Sequence, residues 1–310
     1  MRVLVTGATG LVGSELLKQL QAKGDEVVFL TTAQNKLDAQ PNCQGFYWNP
    51  QTRQIDPACL AGVEVIIHLA GSSIDGSWSK EGKKMIINSR VEASQTLYQL
   101  LSEHPHQVKQ IICASAVGIY DTLDDIQTEQ EYTPATNFLG KVVQQWEGEN
   151  RRFENLGIPV AILRIGLVLS RAGGALPHIE QMAKYYLASP LGRGTQYYSW
   201  IHLQDLARIF LFVMDNHLQG AFNAVAPNPE TNKQFTKQVS QAVGRHMLLP
   251  AVPAWVLRLV LGEKTMLVTE GQYISCAKLL KLDFTFHFST LPKALENLYE
   301  GRMGYETMRW

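Results

Sequence analysis

Cysteine is scarce and scattered in this chain: Cys43, Cys59, Cys113 and Cys276 are the only four in 310 residues. With no Cys-x-x-Cys pair and no histidine at zinc-ligand spacing, neither a disulfide framework nor a metal site is expected. Net charge is also lacking, because 28 basic residues cancel 28 acidic ones. No field therefore recruits the chain to nucleic acid or to an anionic membrane. Long apolar runs are missing as well. The stretch from Ile158 to Leu169 is broken by Pro159 and Arg164 and falls short of the roughly 20 residues a membrane-spanning helix needs. Met1-Arg2 runs straight into Val3-Leu4-Val5 without the basic region, apolar stretch and cleavage site of a signal peptide. The expectation is a cytoplasmic protein with no nucleic-acid or membrane partner, whose small-molecule substrate is chosen by a local pocket.

What is present is material for a core. Hydrophobic residues make up 45% of the chain and charged residues 18%, which excludes disorder and a fibrous repeat. Short β-rich runs alternate with amphipathic stretches through the first two thirds, the pattern of βαβ units feeding a parallel sheet. The expected strands are Val3 to Thr6, Glu26 to Thr31, Gly45 to Trp48, Val65 to Leu69, Gln110 to Ser115 and Pro159 to Arg164. Leu11, Val12, Leu16, Leu17 and Leu20 fall at helical spacing before Gly24. Lys80 to Ser102 and Phe138 to Leu156 read as longer helices. After Arg164, Gly173-Gly174, Pro177, Pro190, Gly192 and Gly194 mark loops of a second lobe. Leu203 to Asn216 and Ala221 to Val225 then read as a helix and a strand returning to the sheet.

Gly7-Ala8-Thr9-Gly10-Leu11-Val12-Gly13 follows the first strand and opens the first helix. Glycines there let the backbone turn sharply and approach a pyrophosphate, while free amides at the helix N-terminus point toward negative charge. Gly13 instead allows close packing of helix on strand. The spacing is Gly-x-x-Gly-x-x-Gly, so its strand-to-helix context carries the information. At the end of the second strand, where an acidic residue holds the ribose of NAD, this chain has Thr31, Thr32, Ala33, Gln34, Asn35 and Lys36. Hydroxyls and Lys36 accept a 2′-phosphate that a carboxylate would repel, so NADP is favoured over NAD; the alternative is that Lys36 is a solvated loop residue.

With His68-Leu69-Ala70-Gly71 after the fourth strand, and Asn88 opening the helix that follows, the chain resembles an extended short-chain dehydrogenase/reductase. Ser115-Ala116-Val117-Gly118-Ile119-Tyr120, Leu163-Arg164-Ile165-Gly166, Gly173-Gly174-Ala175-Leu176-Pro177 and Ser199-Trp200-Ile201-His202-Leu203-Gln204-Asp205 are similar to segments of its atypical epimerase-family subgroup. The region from Pro250, with Leu261-Gly262-Glu263 and Phe284-x-Phe286, resembles that subgroup's C-terminal extension. The resemblance implies a Rossmann-type doubly wound parallel sheet over residues 1–165, with a return segment at 203–226. It implies a smaller, interleaved substrate lobe from 166–202 and 227–310, with the ligand between the two. Leu69, Ala70, Gly71 and Asn88 join Gly7, Thr9, Gly10, Leu11, Val12, Gly13, Thr31 and Lys36 as expected cofactor-binding residues. A homodimer through the two long helices follows by analogy with extended members.

In this superfamily a Ser or Thr after the fifth strand holds the substrate oxygen, and a Tyr-x-x-x-Lys pair moves the proton, the lysine lowering the phenol pKa from about 10. Ser115 supplies the hydroxyl and Lys141 the lysine, which also reaches cofactor ribose hydroxyls. Four residues before Lys141 stands Asn137, whose amide cannot donate and recover a proton. Tyr120 is the nearest replacement and Tyr132 the next, with packing or a ribose contact the alternative for Tyr120. Where nucleotide-sugar enzymes carry an arginine after a Gly-x-Gly-Thr loop, this chain has Tyr197-Tyr198, which argues against a nucleotide sugar unless Arg193 substitutes. Tyr197, Tyr198 and Trp200 read as a substrate pocket or as core. His202 and Asp205 read as structural, Asp205 capping exposed amides. Trp255, Val256, Leu259 and Val260 form an apolar stripe suited to core or a subunit contact. The reading is an NADP(H)-dependent oxidoreductase or epimerase-like enzyme acting on a small carbonyl or hydroxyl compound. The alternative is a catalytically impaired NADP(H)-sensing regulator or binding protein.

Overall fold

The computed structural model describes residues 1–122 and 125–300; the end of the expected second lobe, 301–310, lies outside the described residues. Strand β1 (Arg2–Thr6) leads into helix α1 (Leu11–Lys23), followed by β2 (Glu26–Thr31), β3 (Cys43–Asn49), β4 (Gln54–Ile55) and β5 (Val65–His68). Next come α2 (Lys80–Glu103), β6 (Gln110–Ala116), α3 (Phe138–Arg151), β7 (Val160–Ile165) and β8 (Leu167–Leu169). Then follow α4 (Leu176–Lys184), β9 (Tyr197–Tyr198), β10 (Trp200–His202), α5 (Leu203–Asp215), β11 (Gly220–Ala224) and β12 (Glu230–Thr231). Helices α6 (Asn232–Ala242), α7 (Ala254–Leu261), α8 (Met266–Thr269), α9 (Ala277–Lys281) and α10 (Leu291–Tyr299) complete the order.

Eight strands form one sheet in the order β11-β7-β6-β5-β1-β2-β3-β4. From β7 to β3 the neighbours run parallel, with Val3 opposite both Val27 and Val65 and Ile66 opposite Ile111. The short β4 reverses, pairing antiparallel with β3. The order leaves β1 in both directions, the doubly wound arrangement whose ligands bind beyond the carboxyl ends of the strands at the switch between β1 and β5. Covered on both faces, such strands read as continuous apolar runs rather than alternating ones, and Val3–Val5, Val27–Leu30 and Val65–Ile67 are all buried.

Helix α1 buries Leu16, Leu17 and Leu20 and stops at Gly24, whose left-handed φ of 86° lets its amide reach the Leu20 and Gln21 carbonyls. Helix α2 brings Ala93, Leu97, Leu100 and Leu101 into one core with Leu4, Ile66, Ile111 and Ile162. The helix expected over Phe138 to Leu156 is α-helical only to Arg151 and closes with a 3₁₀ turn over Arg152–Leu156. The Gln110 side chain fastens the return helix, donating to the carbonyls of Val213 at 3.3 Å and Leu218 at 2.7 Å.

The chain divides into two compact units. The first comprises Met1–Asp121, Thr133–Ile165 and Leu206–Phe222; the second takes Thr122–Tyr132, Gly166–Asp205 and the chain from Asn223. The sequence assigned residues up to 165 to one domain, but backbone bonding groups Thr122–Tyr132 with the later chain: Gln127 exchanges amide bonds with Tyr273 and Ser275, each 2.9 Å. Tyr132 lies in this strap. The second unit contains the parallel pair β8–β10 and the antiparallel pair β9–β12. Trp200 is fully buried there, its indole donating to the Asn228 carbonyl at 2.9 Å. Tyr198 bonds the Val268 carbonyl at 3.1 Å, and burial pushes its pKa up to about 12. Both are packing residues in this structure. Helix α7 removes the core alternative for its apolar stripe, because none of its residues is buried and Trp255, Leu259 and Val260 face solvent. Among the described residues no helix is long and apolar enough to cross a membrane.

Asp205 stands in the first turn of α5, as expected, but its carboxylate also reaches across the second unit. Its oxygens accept the amides of His287 at 3.0 Å and Phe288 at 2.8 Å. His202 lies against Phe288 with ring centroids 3.9 Å apart, accepts the Gln204 amide at Nδ1, and is held near pKa 4 by burial. Replacing Asp205 with Ala strands two amides, and bonds to a charged acceptor each contribute about 1.5–3 kcal/mol. Urea unfolding of Asp205→Ala should therefore show a loss of about 3 kcal/mol or more.

Candidate functional site

Between β1 and α1 the backbone turns at Gly7, whose φ of +70° is a left-handed conformation that side-chain-bearing residues rarely adopt. A Cβ on Gly7 would also stand 3.0 Å from the Leu69 carbonyl oxygen. Gly10 occupies the N-cap of α1 with no side-chain cap, and its amide turns back to the Gly7 carbonyl at 3.0 Å. The first amide bonded within the helix is that of Ser14, to Gly10. The amides of Leu11, Val12 and Gly13 consequently have no helical acceptor, and they carry the positive end of the helix dipole. Gly13 is buried, and a Cβ there would lie 2.7 Å from Ala8 Cα. It is the packing glycine, and Thr9 lies exposed at the top of the turn.

The turn is fastened to the end of β5 by a residue the sequence reading passed over. Thr6 Oγ1 accepts the amides of Leu69 and Ala70, each at 3.0 Å, and lies 2.8 Å from His68 Nδ1. With its lone pairs occupied, the hydroxyl donates to Nδ1, which leaves the imidazole proton on Nε2. Nε2 faces Ser94 Oγ at 3.2 Å, and that hydroxyl bonds Asn150 Oδ1 at 2.8 Å. Burial pushes the His68 pKa down to about 4, so the ring is neutral at physiological pH. Leu69 and Ala70 are half-buried and Gly71 is exposed. Asn88, expected to open the following helix, lies well inside α2, which begins at Lys80 under a Ser79 cap.

At the end of β2, Thr31 is buried and its hydroxyl accepts the Ala33 amide at 3.2 Å. Thr32 and Lys36 are exposed, and Gln34–Lys36 forms one 3₁₀ turn.

Ser115 and Tyr120 come together with two groups that the sequence reading had not assigned a role. Ser115 Oγ donates to Glu147 Oε1 at 2.6 Å. Arg164 grips the same carboxylate through Nε at 2.9 Å and Nη2 at 3.1 Å, and gives Nη1 to the Tyr120 hydroxyl at 2.9 Å. Burial works against the guanidinium charge, but the bonds and charge of Glu147 outweigh it and raise the Arg164 pKa further. Ser115 is 2% and Tyr120 0% exposed. In this conformation both hydroxyls belong to a closed internal network, and the backbone that stays accessible after β6 is that of Ala116, Val117 and Gly118. The missed signal was a lone Glu147 beside Trp146 and a lone Arg164 inside a buried strand, two charges that are seldom buried unless paired.

Asn137, in the position of the superfamily's tyrosine, is the N-cap of α3, its Oδ1 accepting the Gly140 amide at 2.8 Å. Asparagine caps well because its short carbonyl reaches that amide; a phenol cannot. Lys141 is exposed one turn further on.

A family model described as the NAD dependent epimerase/dehydratase family matches residues 3–225, and a domain of unknown function, DUF1731, matches 252–298. An epimerase family protein of Staphylococcus haemolyticus is 34% identical over 300 residues, covering 96% of this chain and 98% of the relative. The human epimerase family protein SDR39U1, solved with NADPH, superposes with a TM-score of 0.83 at 27% identity, covering 97% of this chain and 100% of that one. A nucleoside-diphosphate sugar epimerase from Corynebacterium glutamicum gives 0.76 at 30% identity, covering 96% of this chain and 58% of that one.

The internal network generates two measurements. Glu147→Gln leaves Arg164 without its counter-charge, and breaking a buried pair costs about 3–5 kcal/mol, to be read from denaturant midpoints. For His68 the folded pKa of about 4 lies below the ordinary imidazole value of 6.5 because of burial. Its contribution is therefore fully present above pH 6.5 and is lost as pH falls toward 4, about 3 kcal/mol in all. His202, depressed in the same direction, adds to the decline. His68→Asn should flatten stability against pH over that window.

Proposed function

Because the chain belongs to the NAD dependent epimerase/dehydratase family, we propose that it binds NADP(H) at the Gly7–Gly13 turn and acts as an oxidoreductase or epimerase-like enzyme on a small carbonyl or hydroxyl compound. The observation that carries this reading is the donor set: the uncapped amides of Leu11, Val12 and Gly13 beside glycines with no room for a Cβ. Such a turn fits a pyrophosphate. Thr6 supports the fit by holding Leu69 and Ala70 beside Gly7. NADP is preferred because the run Thr31–Lys36 contains no carboxylate and ends in an exposed Lys36. NADPH in the human relative supports the same choice.

A bound nicotinamide would supply hydride exchange. The chain's own contribution is orientation and proton handling. Lys141, exposed at the start of α3, holds ribose hydroxyls and stands four residues after Asn137, the position of the missing tyrosine. Ser115 already gives its proton to Glu147, so an incoming substrate oxygen must compete with that carboxylate for it. Tyr120 enters proton transfer only if the Arg164 network opens.

The second reading is an NADP(H) sensor without turnover. Asn137 committed to a helix cap, together with the inaccessible Tyr120 hydroxyl, favours it.

Fluorescence titration should give tighter binding of NADPH than of NADH. Lys36→Ala should weaken NADPH several-fold and leave NADH unchanged, whereas Gly10→Glu should remove both. Tighter NADH in the parent overturns the NADP preference. NADPH consumption against aldehydes, ketones and quinones separates enzyme from sensor. On the enzyme reading Lys141→Ala lowers turnover at least tenfold, while Tyr120→Phe changes it little. No turnover on any compound, with NADPH binding intact, favours the sensor.

A further inference from the structure

Arg90 is a half-buried cation whose guanidinium is only partly engaged by the protein and otherwise faces solvent. It lies on α2, where only one of its N–H groups has an acceptor among the described residues, Nη1 to the Ile86 carbonyl at 2.9 Å. Among the described residues no carboxylate pairs with it; burial lowers its pKa to about 10. Arginine therefore keeps its charge at neutral pH, and proteins normally give such a charge an anionic partner. Arg164, which is fully buried, has Glu147.

The surroundings of Arg90 are built to hold it in place. Its guanidinium carbon lies 5.1 Å from the centroid of the Trp146 ring. On another side the chain meets Gly71: a Cβ there would stand 3.2 Å from Arg90 Cγ and Cζ and 3.4 Å from Nε. Glycine at 71 thus lets the fork lie against an exposed loop. Ser89, the preceding residue of α2, fastens that loop by accepting the Ser72 amide at 3.1 Å and bonding the Ser72 hydroxyl at 3.0 Å. Trp146 Nε1 and, one turn along α3, Asn150 Nδ2 are buried donors with no acceptor. The seam between α2 and α3 therefore leaves these two donors unmatched beside the Arg90 guanidinium.

We propose that Arg90, seated against Gly71 and stacked on Trp146, is an oxyanion-recognition site that takes a phosphate or carboxylate group of the dinucleotide or of the substrate. Its planar fork matches either group bidentately. The inference deepens the dinucleotide reading of the β5 loop and rests on it only for the source of the anion.

The test uses the full chain, with malonate and inorganic pyrophosphate as probes at constant ionic strength set by KCl. A ligand that binds only the native state raises the melting temperature in a dose-dependent way, so the parent should respond to at least one probe. In Arg90→Gln the half-saturating concentration should rise at least tenfold, and Arg90→Lys should recover part of that loss. The response must survive Gly10→Glu, which separates it from anion binding at the glycine turn. Parallel NADPH titrations identify the source. A tenfold weaker NADPH in Arg90→Gln assigns the anion to the dinucleotide, and unchanged NADPH with a lost probe response assigns it to the substrate. Should Arg90→Gln not fold, Gly71→Ala displaces the fork without removing its charge and should weaken the probe in the same way. No response in the parent beyond KCl, or an equal response in a folded Arg90→Gln, overturns the proposal. Failure of NADPH to bind the parent while the probe response persists would sink the dinucleotide reading and leave Arg90 standing.

Discussion

The carboxyl ends of the two central strands are joined by one hydroxyl. Thr6 ends β1, yet its Oγ1 accepts the first two amides beyond β5 and donates to His68 at that strand's last position. Because the hydroxyl has a single proton, this arrangement needs a neutral His68 in one tautomer, and complete burial keeps it neutral. The clamp draws the Leu69 carbonyl close over Gly7. Glycine at 7 is thus required twice, by its backbone conformation and by the loop lying on it. The geometry of the turn that offers its amides depends on a polar network beneath it.

A second internal network explains why side chains familiar from catalysis are used here for cohesion. Glu147 receives Ser115 and the Nε–Nη2 edge of Arg164, and Arg164 extends through Nη1 to Tyr120. Each buried charge has its partner and each hydroxyl an acceptor or donor, the condition under which ionic groups persist inside a protein. The same carboxylate that steadies the pair competes for the serine proton. Asn137 belongs to the same economy, since starting α3 at Phe138 requires a short capping side chain in front of it.

Much of the fold was legible because buried parallel strands and amphipathic helices leave periodic marks. The runs Val3–Thr6, Glu26–Thr31 and Gln110–Ser115 and the return helix after His202 are where the pattern put them, within a residue or two. The glycine turn was legible from its strand-to-helix context. Less legible were features depending on pairings between distant positions: the strap Thr122–Tyr132 joins chain about 150 residues later through Gln127. The apolar stripe of α7 was visible as a stripe, but its sequence did not choose between core and surface.

By itself the sequence determined the strand–helix alternation that feeds a parallel sheet, the glycine turn after its first strand and the absence of an acidic residue after β2, because each follows from local pattern and residue type. Only the tertiary structure decided which polar side chains are free. Ser115, Tyr120 and Lys141 look equivalent as a string of candidates. Folding brings Glu147 and Arg164 onto the first two and leaves the third exposed. The physical reason is that a hydroxyl or charge is defined by what satisfies it, and those partners come from residues far away in the chain.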